Sequence, residues 1–257
     1  MKAMILAAGF GTRLLPLTKK KPKALIEING IPLLELIIRR LKYFGFTDIV
    51  INVHHHADQI IKFLRVKKNF DCTINLSIEP EILGTGGGLQ HAADFLKGDY
   101  PFLLHNVDVI SDLNFADLIA EHIKNHNLAT LGLMNRPSNR YLLVEENLLI
   151  CGHGNYDTQT IRIARDTGSN LREMAFCGIH VISPAIFDYM NKSGSFSIID
   201  LYLEVISQGE RIGGFLMDTN YWKDIGRLEH LQDIATTLAD VDVQKRLFPF
   251  LFLHNHH

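Results

Sequence analysis

The segment spanning residues 6–23, LAAGFGTRLLPLTKKKPK, constrains the fold more than any other part of the chain. Residues 3–8 lead into it as an unbroken apolar run of strand length, as expected of a strand buried on both faces. Gly9 and Gly11 then let the backbone turn tightly and approach a ligand closely. Successive N–H groups in such a loop form an anion-binding concavity. Arg13 can fork across phosphate oxygens, and Lys23 can act as a point charge. Two better-known phosphate loops are excluded. The dinucleotide fingerprint needs a third glycine where this chain has Leu14, and the P-loop needs Gly-Lys-Ser/Thr where Gly11 is followed by Thr12 and Arg13.

The rest of the first half alternates strand-like and helix-like stretches. Strands are expected at 48–53, 72–78, 101–105 and 129–134, and helices at 56–65, 88–96 and 115–125. This βαβα order implies an α/β fold with a mostly parallel sheet and helices on both faces. Ligands of such sheets lie beyond the carboxyl ends of the strands, where the loops at 9–23, 54–56, 79–88 and 106–108 all fall. From 140 to 165 the pattern changes to short apolar runs between Asn, Gly and Asp clusters, which read as hairpin strands. A strand at 174–182, helices at 184–191 and 198–207, a strand at 213–217 and a helix at 228–238 complete the expectation. Residues 1–240 then form a single domain, with 140–173 as a small β-rich insertion over the site and 241–257 as a tail. The tail ends LFPFLFLHNHH, apolar and then His-rich, and is left to pack on the body, to pack on a second subunit, or to be an appended segment.

Composition narrows the classes. A chain of 257 residues can bury a large core, and 47% apolar with 21% charged residues is ordinary for a globular protein. A net charge of -2 gives no global field for nucleic acid or an anionic membrane. Cys72, Cys151 and Cys177 are too few and too scattered for a disulfide framework, which points to a reducing compartment. No stretch approaches the roughly 18 apolar residues of a membrane span, so a cytoplasmic enzyme is expected.

Two acids are candidates for a metal site. Asp108 follows a buried strand, with Asn106 two residues earlier, and is placed to hold Mg²⁺ against phosphates. Alone it reads as a turn residue, given Asp112 and Asn114 nearby. Asp224 stands in a second turn-like run, Trp222-Lys223-Asp224-Ile225-Gly226, and alone is also structural. A second glycine-rich stretch, EPEILGTGGGL at 79–89, either exposes backbone to a base edge or starts a helix with Thr85 as cap.

The opening string resembles the signature of the sugar-1-phosphate nucleotidyltransferases, approximately LAAGxGTRLxPLTxxxPK. The resemblance extends over about residues 2–240 and implies a Rossmann-like three-layer sandwich with a central, mostly parallel mixed sheet. It implies transfer of a nucleotidyl group from an NTP to a sugar 1-phosphate, with Mg²⁺ as cofactor and pyrophosphate as product. Arg13, Lys23 and Asp108 are then catalytic, and Asp108 and Asp224 bind metal. Leu6, Ala8, Gly9, Gly11, Thr12, Arg13, Lys23, Glu79, Gly84, Thr85, Gly86 and Asn106 bind nucleotide. Arg140, Arg172, Gly178 and Trp222 bind the sugar phosphate. Asn106-Val107-Asp108 departs from the family's usual Asn-Gly-Asp, and the triple glycine is similar to that of the uridylyltransferases acting on N-acetylmuramic acid 1-phosphate.

The family's Glu-Lys-Pro before the sugar-binding strand is missing; Asn170-Leu171-Arg172-Glu173-Met174 stands there, leaving Arg172, Arg140 or Arg136 to replace that lysine. Cys177 reads as a small buried residue rather than a nucleophile. His54, His55 and His56 read as structural or site-lining, since consecutive residues at a strand end rarely face one ion together. Two rivals stay open. A phosphocholine-type acceptor would want an aromatic cage, and the insertion offers Tyr141 and Tyr156 without a dense cluster. A non-catalytic nucleotide-sugar-binding subunit fits the missing Glu-Lys-Pro but not the intact Arg13, Lys23, Asp108 and Asp224. No nucleic-acid or membrane partner is expected, and a homo-oligomer is compatible with the sequence.

Overall fold

The computed structural model describes residues 1–168 and 170–252. The chain begins with β1 (Lys2–Leu6), β2 (Glu27–Ile28), β3 (Ile31–Pro32), α1 (Leu33–Tyr43), β4 (Asp48–Val53), α2 (Ala57–Val66) and β5 (Thr73–Ile78). It continues through α3 (Gly84–His91), α4 (Ala93–Leu96), β6 (Phe102–Asn106), β7 (Val109–Ser111), α5 (Phe115–Lys124) and β8 (Ala129–Met134). Then come β9 (Arg140–Val144), β10 (Ile150–Asn155), β11 (Thr160–Ile163), β12 (Arg172–Ile182) and α6 (Ile198–Ser207). β13 (Ile212–Leu216), β14 (Trp222–Asp224), α7 (Leu228–Thr237) and α8 (Val241–Leu247) complete the order. Two compact units emerge. One holds Met1–Ile82, His105–Leu113 and the chain from Asn220 onward; the other holds Leu83–Leu104 and Asn114–Thr219.

In the first unit β1, β4 and β5 run parallel, with Lys2 opposite Asp48 and Asp48 opposite Thr73. Ala3, Met4 and Ile5 of β1 and Ile49, Val50 and Ile51 of β4 are apolar and buried, as strands covered on both faces must be, whereas β5 at the end of the strand order is largely half-buried. The carboxyl end of β6 flanks β1 on its other side, and the Val107 N–H donates to Leu6 O at 3.1 Å. Strand order therefore reverses at β1, which places the loops after β1 and β6 at the crevice where open α/β sheets take ligands. The apolar run expected as a strand over 3–8 stops pairing at Leu6, because the Ala7 N–H leaves the ladder and donates to Asn52 Oδ1 at 2.7 Å.

α1 has no counterpart in the motif reading, which leaves residues 24–47 unassigned. Its buried Leu33, Leu34, Ile37, Ile38 and Leu41 recur at helical spacing. Tyr221 to Gly226, read as a turn, contains β14, which pairs antiparallel with β7. At the chain end, Asp240 caps α8 by accepting from the Asp242 N–H at 2.8 Å, and Leu247 and Phe248 are buried. The Arg40 guanidinium donates to Leu247 O at 2.8 Å, so the tail's start packs on its own unit. The terminal residues 253–257 lie outside the described residues.

In the second unit β8 pairs antiparallel with β12 and parallel with β13. β9, β10 and β11 form the β-rich stretch expected around 140–173, with β9 joined to the start of β12. α3 starts at Gly84, four residues before the expected helix at 88, and runs through the glycines. The Phe196 ring and Gly194 O lie where Gly86 and Gly87 would carry side chains, and the Gly86 N–H donates to Phe196 O at 2.9 Å. Close packing here overrides glycine's poor helix propensity. Residues 184–189 form a 3-10 turn rather than the expected helix.

α5 buries His122 against β8. The Ser183 hydroxyl donates to Asn127 O at 3.1 Å, so Ser183 Oγ accepts from His122 Nε2, 3.0 Å away. Thr130 Oγ1, which accepts from Asn127 Nδ2, donates to His122 Nδ1 at 3.0 Å. This wiring requires a neutral imidazole, and burial pulls the His122 pKa from 6.5 down to about 4. Between those values the unfolded chain takes up a proton that the folded chain refuses, so stability falls as pH drops below 6.5. Urea unfolding of His122→Gln beside wild type should show about 2 kcal/mol less loss of stability between pH 7 and pH 5. Parallel pH profiles would contradict this account of the histidine.

Candidate active site

The first unit gathers most of the phosphate-binding candidates. After β1 the chain forms three short 3-10 turns, Thr12–Leu14, Leu17–Lys19 and Lys23–Leu25. Leu14, the residue that breaks the dinucleotide fingerprint, is fully buried and anchors the first turn. Gly11 is left-handed at φ 64. A Cβ there would sit 2.9 Å from Thr18 Cγ2 and 3.1 Å from Lys23 Cβ. The Thr18 hydroxyl donates to Gly11 O at 2.9 Å. Gly9, by contrast, has open space around it and no positive φ, so the tight turn is the work of Gly11 alone. Thr12 and Arg13 are exposed, Leu6 is half-buried and Ala8 buried.

Lys23 is buried to 8% exposure, and its ammonium forms an ion pair with Asp108 Oδ2. Asp108 follows β6, between buried Val107 and β7. Val107 is in ordinary backbone conformation with its side chain in the core, which explains why the usual glycine is dispensable here. The β7–β14 ladder then sets Asp224 opposite Val109, and the Ile225 N–H donates to Asp108 O at 2.7 Å. Two acids 116 positions apart (224 less 108) are thus fixed side by side by backbone pairing.

The Asp224 carboxyl is held above the usual carboxylate range, by burial first and by the neighbouring Asp108 charge second; Lys23, Arg13 and His230 pull the other way. Its Oδ1 is buried and has no hydrogen-bond partner among the described residues. An added Cβ on Gly226 would lie 2.6 Å from Asp224 Oδ1 and 2.9 Å from Arg13 Nη2, so glycine there leaves room for both groups. A buried, unsatisfied carboxylate oxygen beside a second carboxylate is a donor set suited to a hard divalent cation. Among the described residues no group of three or more His, Cys, Asp or Glu side chains is placed to hold a metal ion. Two carboxylates with the remaining positions left to phosphate oxygens and water is the usual arrangement for Mg²⁺.

Glu79 is buried, and its Oε1 accepts from Asn52 Nδ2 at 2.6 Å. Asn52 in turn accepts from the Ala7 N–H, so the residue expected at the base is wired to the start of the phosphate loop. Asn52 is absent from the motif reading; a lone amide inside the apolar strand DIVINV was its signal. His54 Nδ1 lies 2.9 Å from Glu79 O, and Phe10 sits edge-on to His54 and His55, with ring centroids 5.8 and 5.6 Å apart. The histidines therefore line the loop, as expected. Asn106 and Trp222 also belong to this unit, both half-buried.

The second unit carries Gly84, Thr85, Gly86, Arg140, Arg172 and Gly178. Thr85 does not cap α3; its Oγ1 accepts from the Ile198 N–H at 2.9 Å. Gly178, at φ 74, sits in a bulge of β12 against β8 between Phe176 and His180. Arg140 is exposed, and exposed Arg172 donates to Glu146 O at 3.3 Å. Neither lines the cavity of about 520 Å³ whose walls include Arg136, Tyr141, Tyr156 and Glu173. There the Tyr156 hydroxyl donates to Glu173, which pushes the tyrosine pKa up to about 12, and the Tyr141 and Tyr156 rings lie 4.7 Å apart. Cys177 is buried, which lifts its thiol to about 12 and leaves it inert at neutral pH. No helix among the described residues is long and apolar enough to cross a membrane.

The sequence matches the nucleotidyl transferase family over residues 2–241. A mannose-1-phosphate guanyltransferase of Yarrowia lipolytica is 31% identical over 231 residues, covering 88% of this chain and 61% of that relative. The chain thus spans about three fifths of the length of such relatives. An N-acetylmuramate alpha-1-phosphate uridylyltransferase of Neisseria meningitidis is 32% identical over 247 residues, covering 91% of this chain and 98% of the relative. A solved chain from Bacillus anthracis, described as a candidate glucose-1-phosphate thymidylyltransferase, superposes with TM-score 0.76 at 23% identity, covering 93% of this chain and 95% of its own. That likeness shows the Rossmann-like fold, a mixed, mostly parallel sheet flanked by helices, as expected from the sequence.

The loop geometry makes one substitution diagnostic. Gly11→Ala combines a left-handed φ with two close contacts, and should lower stability in urea unfolding by about 1–2 kcal/mol. Gly9→Ala, in open space, should change it by less than about 0.5 kcal/mol. Equal effects at both positions would contradict the assignment of the turn to Gly11.

Proposed function

The chain belongs to the nucleotidyl transferase family, and from that premise we propose that it joins an NTP to a sugar 1-phosphate, forming an NDP-sugar and releasing pyrophosphate. The observation that carries this is the gathering of Lys23, Asp108, Asp224 and the Arg13 guanidinium beside one glycine-turned loop. The Neisseria meningitidis relative, matched over 98% of its length, supports a sugar 1-phosphate acceptor by its own description.

An oxygen of the sugar phosphate attacks the α-phosphorus in line with the leaving pyrophosphate. The new P–O bond forms as the bond to the β-phosphate oxygen breaks, and the electron pair departs with pyrophosphate. The nucleophile is already an anion at neutral pH, so neither a general base nor a covalent intermediate is required. Catalysis reduces to positioning and charge stabilisation. Arg13 and the loop amides after β1 grip the β- and γ-phosphates. Lys23, held ready by Asp108, meets charge developing at the α-phosphate. Asp108 and Asp224 would hold Mg²⁺, whose charge offsets that of the phosphates when bound. The wired Glu79 and Asn52 fix the base end of the loop. For the sugar phosphate, the cavity carrying Arg136 and the Tyr156–Glu173 pair is better furnished than exposed Arg140 or Arg172. Cys72, Cys151 and Cys177 are thiols rather than disulfides, which suits the cytoplasm.

Pyrophosphate release should be measured for UTP, GTP, CTP and dTTP against N-acetylmuramic acid, mannose and glucose 1-phosphates with Mg²⁺. At least one pair should turn over, and Asp108→Ala should lower kcat for that pair by about a thousandfold with the fold intact. No turnover with any pair would sink the transferase reading, and unchanged kcat would remove Asp108 from the chemistry. Arg136→Ala should raise KM for the sugar phosphate about tenfold and leave that for the NTP unchanged. The reverse pattern would place the acceptor elsewhere.

A further inference from the structure

Asp224 stands on β14, a strand of three residues whose only ladder partner among the described residues is β7. Such a short ribbon is weak on its own. A slip of one residue would turn Asp224 away and put Lys223 or Ile225 in its place. Something has to fix the register, and the far end of the ribbon has a clasp. Asp112, directly after β7, donates its N–H to Tyr221 O at 3.3 Å. Its Oδ1 accepts from the Tyr221 N–H at 2.8 Å and from Asn220 Nδ2 at 3.0 Å. Its Oδ2 takes the Arg246 Nε at 2.8 Å.

The Asp112 side chain is only 8% exposed, whereas Arg246 is 58% exposed. Arg246 comes from α8, beyond the 2–241 span that matches the family. Buried Arg40 on α1 completes the frame by donating to Leu113 O at 2.7 Å and Leu247 O at 2.8 Å, on either side of the clasp. Burial draws the Arg40 pKa down to about 10, and the Asp112 charge opposes that shift, so the guanidinium stays charged at neutral pH.

We propose that Asp112, backed by Arg246 of the C-terminal helix, is a positioning residue that sets the register of β14 and thereby the place of Asp224 at the cation site. The inference rests on the reading that Asp108 and Asp224 hold a divalent cation. Asp112 touches neither substrate nor metal in this role; it acts through three backbone steps of ladder, from Asp112 opposite Tyr221 to Val109 opposite Asp224.

The test is Mn²⁺ binding to the full chain by electron paramagnetic resonance, without substrates, together with hydrogen exchange over residues 220–225. Asp112→Ala should weaken Mn²⁺ by about tenfold and speed exchange in that segment, because a charge-assisted hydrogen bond is lost. Asp112→Asn, which keeps an oxygen acceptor for the Tyr221 N–H, should restore binding to within about threefold. A role in general stability alone would leave Mn²⁺ affinity of the folded protein unchanged in both variants, and that result overturns the proposal. Should Asp112→Ala fail to fold, Arg246→Ala carries the test: about threefold weaker Mn²⁺ is expected, and no change refutes the clasp. Wild type that binds no Mn²⁺ would overturn the cation reading itself, whereas wild-type binding left intact in Asp112→Ala refutes the clasp alone.

Discussion

Two carboxylates held side by side in a half-buried place repel, and the candidate site depends on the backbone pairing that overcomes this. Asp108 ends the turn after β6, and Asp224 ends a three-residue strand from the far end of the sequence. The β7–β14 ladder and the hydrogen bond from Ile225 to Asp108 O bring them together. Lys23 offsets one charge directly, while Asp224 keeps a buried oxygen without a partner among the described residues. Burial first, and the Asp108 charge second, raise the Asp224 pKa and leave the pair with an appetite for positive charge. Gly226 belongs to the same arrangement, since any side chain there would fill the space the carboxylate and Arg13 share.

The phosphate loop was legible because its signal is local. A strand, a left-handed glycine and the cations Arg13 and Lys23 within residues 2–23 depend on little beyond their own spacing. Arg13, Lys23 and both acids indeed fall in one unit. β14 was not legible as a strand: three residues give too little alternation to separate a strand from a turn, and its pairing partner lies 111–115 positions away in sequence. α1 was legible but unread, its apolar stripe at 33, 34, 37, 38 and 41 standing in plain helical spacing. The start of α3 could not be read, because only contact with residues 194–197 makes a helix of Thr85-Gly86-Gly87-Gly88.

The acceptor end shows where motif transfer stops. Of the three arginines that stand in for the missing lysine, Arg172 and Arg140 are exposed, and Arg136 lines a cavity with two tyrosines and Glu173. Alternation along β9 and β12 parts Arg140 from Tyr141 and Arg172 from Glu173, since successive side chains of a strand leave on opposite faces. Asn52 makes the opposite point. It belongs to no family motif named from the sequence, but a buried amide inside an apolar strand needs partners, and satisfying it joins Ala7 to Glu79.

The proposed transfer needs one divalent cation shared by Asp108 and Asp224. Anomalous diffraction from crystals grown with Mn²⁺ and a non-hydrolysable NTP tests it most directly. A single strong peak is expected within about 2.0–2.6 Å of a carboxylate oxygen from each of the two residues. A peak touching only one of them, or no peak at the pair, would contradict it.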